Sequence, residues 1–207
     1  MSKYRKFAEK ADAMAKEAFK KVNETAEALQ RAQSKAAACP QRNGMVDAEY
    51  AAKSARAAAD LAEAKAAHER AKAELQTLNK NIAEVRAELV REIEKDNRAD
   101  PELVDTATME LLKSGILTTD DYQGLFEKHS GNRTMQRLIR KYANETADNM
   151  PEARDRQTLK ALAASTDTDS AVLANFDVIA EVCHRAEHNT GMIQHYESLT
   201  AQAIKDM

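Results

Sequence analysis

Tryptophan is absent from this chain, and aromatic residues of all kinds make up only 4% of its 207 positions. Its 43% hydrophobic content therefore rests largely on alanine. Five glycines and three prolines leave few places to turn. Such a composition, rich in Ala, Glu, Lys and Arg, has almost no strand vocabulary and belongs to long helices. An all-α fold is expected. The two cysteines, Cys39 and Cys183, are far apart and form no Cys-x-x-Cys pair. That pattern suits free thiols in a reducing compartment better than a disulfide framework. No stretch approaches the roughly 18–20 consecutive apolar residues of a membrane span, and "MSKYRKFAEKADAMAKEAF" lacks the apolar core and cleavage site of a signal peptide. A soluble, cytoplasmic protein is expected.

A strong charge of one sign is also missing, since the net charge is −3. Residues 1–99 nonetheless hold 20 Lys+Arg against 16 Asp+Glu, and residues 100–207 hold 11 against 18. Halves of opposite sign favour head-to-tail or antiparallel contacts between copies.

What is present is periodicity. Alternate steps of three and four from Tyr4 reach Ala8, Ala11, Ala15, Ala18, Val22, Thr25, Leu29, Ala32, Ala36 and Cys39 without meeting a charge. "CPQRNGMVDAEY" interrupts the run. Pro40 lacks the N–H a continuing helix needs, Gly44 permits a positive φ, and Asp47 can cap a restart. The stepping resumes from Tyr50 through Ser54, Ala57, Leu61, Ala64, His68, Ala71, Leu75, Leu78, Ile82, Val85 and Leu89. Two heptad runs joined by a polar turn near 40–46 predict an antiparallel coiled-coil hairpin over residues 1–98.

The first helix can cover about 36 residues and the second about 50, which leaves an overhang of roughly 20 Å. The overhang carries Ile82, Val85, Leu89 and Ile93. Such a strip needs a partner, either the second half of the chain or another copy, and self-association through these four residues is expected.

Residues 100–207 read as a C-terminal domain, a small bundle of short helices. "PELVDTATMELLKS" begins with Pro101 in a first turn and stops at Gly115. Thr118 and Asp121 have capping-box spacing before Tyr122, Leu125 and Phe126. Asn132 caps "RTMQRLIRKYA". A weakly amphipathic helix follows over 151–164. "STDTDS" ends it before a long last helix carrying Val172, Phe176, Ile179, Cys183, Ala186 and Ile193, in which Gly191 marks a kink or break.

In "GNRTMQRLIRKYA" the face Met135, Leu138, Ile139 and Tyr142 opposes Arg133, Arg137, Arg140 and Lys141. The preceding helix, turn and basic helix follow the order of a helix-turn-helix, so these four cations are the candidate nucleic-acid contacts. Against them stands the net negative charge of the half, because DNA affinity rests on a positive footprint. A solvated face is the simpler reading, and a nucleic-acid partner is not expected.

"HRAEH", His184 to His188, spells the H-x-x-E-H zinc motif. Two histidines four apart share a helix face, but a third ligand is wanted, and His195 would lie about 10 Å further along the helix. No metal ligand is assigned. His68 in the seam is either a pH-sensitive register element or a ring turned outward. Without a Gly-rich phosphate loop, a Ser/His/Asp arrangement or paired carboxylates in a pocket, neither enzymatic activity nor a cofactor is expected.

The stretch "MELLKSGILTTDDYQGLFEKHSGNRTMQRLIRKYA" resembles, over about residues 105–145, segments of uncharacterised helical proteins encoded in phage and prophage structural regions. "LLKSGILTTDDYQGL" is similar to a short oligomerisation module of helix, Gly-Ile-Leu-Thr turn and helix, from which the chain departs after Phe126. The resemblance implies a structural or assembly role, a homo-oligomer with a further protein partner, and a place in the cytoplasm or on a virion.

Overall fold

Residues 3–38 and 47–207 are described in the computed structural model, and every regular element among them is helical. The turn expected near 40–46, with Cys39, Pro40 and Gly44, lies outside the described residues, as does the side chain of Asp47. Eight α-helices run in the order α1 (Arg5–Ala38), α2 (Asp47–Asp96), α3 (Thr106–Ser114), α4 (Thr119–Lys128), α5 (Arg133–Asn149), α6 (Ala153–Ser165), α7 (Thr168–His188) and α8 (Tyr196–Asp206). Short 3-10 segments, Pro101–Leu103 and Thr190–His195, precede α3 and α8.

These helices form two units, Met1–Leu89 with Ala174–Met207, and Val90–Leu173. In this division Ala174–Met207 groups with Met1–Leu89, where the sequence suggested one division near residue 99. In that unit α1 and α2 are joined by Lys10–Glu88 at 2.9 Å, Lys21–Glu74 at 3.3 Å and Thr25–His68 at 3.2 Å. Partners descend along α2 as they ascend along α1, so the two helices run in opposite senses. Thr25 Oγ1 already lies 2.8 Å from the carbonyl of Lys21. Its one proton is spent there, so the His68 ring supplies the N–H at Nδ1.

Burial along the seam is uneven. Ala71, Leu75, Leu78, Ile82, Val85 and Leu89 of α2 are buried, whereas Leu61, Ala64 and His68 are half-buried. On α1 the heptad positions Ala8, Ala11, Ala15 and Val22 are buried, but so are Phe7 and Phe19 outside the stripe. A two-helix seam does not account for Phe19; α8 does. The ring of Phe19 meets Tyr196 of α8 edge-on, 5.0 Å between centroids. Asp177 and Glu187 of α7 take hydrogen bonds from Arg86 (2.6 and 3.0 Å) and Asn79 (2.5 Å) of α2. Cys183 is fully buried here, and burial pushes its thiol up to about 12, with the nearby Asp12 carboxylate adding to the shift. A thiol so rarely ionised is inert.

The second unit is built around α5, whose Met135, Ile139, Ala143 and Ala147 are buried against Leu112, Tyr122, Phe126, Leu159 and Ala163. Its caps follow the sequence closely. Gly115 closes α3 at φ 69°, Thr118 and Asp121 make a reciprocal capping box, and Asn132 accepts from the N–H of Met135. One expectation fails: the helix drawn from Pro101 to Ser114 is broken. Asp105 takes the N–H groups of Ala107 and Thr108 on its carboxylate and starts α3 afresh. A side chain offering itself to the backbone in this way competes with helix continuation. The break expected at Gly191 is present, with α7 ending at His188 and Asn189 accepting from the Gly191 N–H.

Candidate functional site

The overhanging strip is the first expectation to be corrected. Ile82, Val85, Leu89 and Ile93 are 2%, 2%, 0% and 5% exposed within the single chain, so they present no surface to a second copy. The error lay in register. Setting both helices flush at the turn placed the surplus of α2 at its far end. Lys10 instead pairs with Glu88, which brings the start of α1 beside Leu89. The unmatched length of α2 lies at its beginning, where residues 51–56 are exposed and carry nothing larger than alanine among their apolar members.

The basic face of α5 is largely engaged within the chain. Arg133 lies 3.7 Å from Asp96 and 3.4 Å from Asp169, and Arg137 donates to the carbonyl of Asn97. Arg140 pairs with Asp167 at 3.0 Å and donates to the carbonyl of Thr166 at 2.7 Å. Asn97 reaches Asp169 at 2.8 Å. Three arginines thus clasp the segments at 96–97 and 166–169 onto α5, and a phosphate would have to displace carboxylates to use Arg133 or Arg140 and a backbone carbonyl to use Arg137. Lys141 is turned to solvent, with Glu145 one turn on at 3.7 Å.

The largest side chains left at the surface point elsewhere. In the first unit Val178 and Leu199 are 40% and 45% exposed and line a groove of about 550 Å³ between α7 and α8, with Ala174, Val182 and Met192. Its rim carries Asp177, Glu181 and Arg185. The two carboxylates are already engaged, Asp177 by Arg86 and Glu181 by Arg185 at 2.7 Å. In the second unit Leu103 is 50%, Leu111 47% and Ile116 75% exposed, the first in the 3-10 segment before α3, the others on α3 and just past its glycine cap. The sequence reading missed both, because Val178 and Leu199 fall outside the apolar stripe drawn for the last helix and Ile116 was assigned to a turn.

Among the described residues, one cluster bears metal-ligating chemistry. His184, Glu187 and His188, at the end of α7, bring a ligand atom each to within 4.8 Å of the others. His195 is not part of the group. No protein-family model, curated protein or solved structure matches the chain.

Proposed function

We propose that the chain is a non-enzymatic assembly protein whose copies join head to tail, the α7–α8 groove of one copy receiving the aliphatic edge of α3 from the next. The observation that carries the reading is the pair of unsatisfied apolar surfaces, Val178 with Leu199 on one unit and Leu111 with Ile116 on the other. A groove between two helices lined with Val, Leu and a pliable Met is suited to an aliphatic helix face. Counted by unit, the first holds 19 Lys+Arg against 18 Asp+Glu and the second 12 against 16, so net charge does not oppose the pairing. The contact is heterologous, so copies continue into a ring or a filament. In this reading α1 and α2 serve as a coiled-coil hairpin that holds the groove in place. The likeness of residues 105–145 to helical proteins of phage and prophage structural regions supports the same class of role.

Light scattering over a concentration series tests it. The parent chain is expected to form dimers and larger species. Val178→Asp with Leu199→Asp should give monomers, and so should Ile116→Asp. Each variant keeps the surface the other has lost, so mixing the two should restore complexes of two chains and nothing larger. A parent chain that stays monomeric at about 100 μM, well above the concentration that a contact of micromolar affinity requires, would sink the proposal.

A further inference from the structure

A helix presents residues i, i+3 and i+4 on one face, and at the end of α7 those positions hold His184, Glu187 and His188. The two imidazoles stand edge to face with centroids 5.0 Å apart. Nδ1 of His184 is 4.0 Å from Oε2 of Glu187, and the three ligand atoms all lie within 4.8 Å of one another. Ligands that share a tetrahedral ion at about 2.1 Å stand about 3.4 Å apart, so a modest approach of these three atoms would hold one ion.

Glu187 is the member that distinguishes this cluster from two histidines on a wet surface. Its side chain is only 18% exposed, and its Oε2 accepts a hydrogen bond of 2.5 Å from Nδ2 of Asn79 on α2. An outer donor that fixes a carboxylate from a neighbouring helix is the arrangement that orients ligands in metal sites. His184 remains 59% exposed and gives an ion its entry. Reading the sequence for a third histidine overlooked the glutamate inside the motif.

We propose that His184, Glu187 and His188 form a three-ligand site for a divalent transition-metal ion of the zinc type, with Asn79 as the positioning residue and one coordination position open. Imidazole nitrogen and carboxylate oxygen are the donors such ions prefer, and three protein ligands leave room for water or a fourth group. The ion would pin the final turn of α7 where Asn189 ends the helix, and through Glu187 and Asn79 would fasten that turn to α2.

Calorimetric titration of the untagged full chain with Zn²⁺, together with the visible spectrum of the Co²⁺ form, decides it. One ion per chain is expected, with the intense Co²⁺ bands of a four-coordinate site. His184→Ala and His188→Ala should each weaken binding at least tenfold. Glu187→Gln, which preserves the acceptor for Asn79 and the helix, should also weaken it, and Asn79→Ala should cost about tenfold. His195→Ala, His68→Ala and Cys39→Ser should leave affinity unchanged. Circular dichroism establishes that each variant is folded. Absence of a one-to-one complex, or equal affinity in Glu187→Gln and the parent, would overturn the site. The outcome is independent of self-association, since the ligands lie on one chain and can be titrated in the monomeric groove variant.

Discussion

Arg140 is 19% exposed, its guanidinium set between the carboxylate of Asp167 and the carbonyl of Thr166. Removing it leaves an acidic side chain without its cation and a carbonyl without its donor. Arg140→Ala is expected to destabilise the chain by about 1–3 kcal/mol, the range for charge-assisted bonds in partly buried positions. Lys141, one residue on, is 65% exposed and makes a one-turn ion pair and a distant contact over the Tyr142 ring, both in solvent, so Lys141→Ala should be nearly silent. Chemical denaturation of both variants checks the contrast. Equal stability of the two, with a loss of duplex DNA binding at low salt in either, would return α5 to the role of a nucleic-acid reader.

Among the elements, the start of α3 carries the clearest pH signature. The Lys128 ammonium at 2.9 Å, with the hydroxyl and N–H of Thr108, holds the Asp105 carboxyl well below its ordinary 3.8. A carboxyl depressed in the folded state contributes stability that is complete above its unfolded value and is lost as pH falls below it. Thermal unfolding followed downward from pH 5 should therefore show a decline that is shallower in Asp105→Asn, whose stability is already reduced at neutral pH. An identical acid profile in the two would remove Asp105 from the account. This element also marks where the sequence was legible. Gly115, Thr118, Asp121 and Asn132 were readable because a cap depends only on residues within one turn of it. Asp105 was passed over because Pro101 offered a competing start, and local signals do not rank two starts. The helix pairing was less legible still. Ala8 and Leu89 each announce a buried face, but heptads repeat, and no residue of the periodic run states which repeat faces which. The cluster at His184 was visible as a string, but the hydrogen bond that holds Glu187 was not, since Asn79 reaches it across 108 residues of sequence.

For the whole molecule, the burial of Val85 and Leu89 changes what their substitution does. Val85→Asp with Leu89→Asp places two unpaired carboxylates in a packed interior, a change that proteins of ordinary stability do not survive. The double variant is expected to lose a large share of its helical circular dichroism. A folded monomer of unchanged helicity would put the strip back on the surface. Aggregation alone does not separate these outcomes, so the far-ultraviolet signal is measured at micromolar concentration with size measured in parallel.

The first unit takes α1 and α2 from one side of the second and Ala174–Met207 from the other. Ribosomes make these parts in that order. At about 5–20 residues per second, the stretch from Val90 to Leu173 takes roughly 4 to 17 s to translate, during which the nascent hairpin has neither α7 nor α8. Phe19 waits wet for Tyr196, and the face of α2 that Asp177 and Glu187 will clasp is open to whatever is nearest. The packing of Phe19 on Tyr196 is therefore completed only after the whole of the second unit has been made.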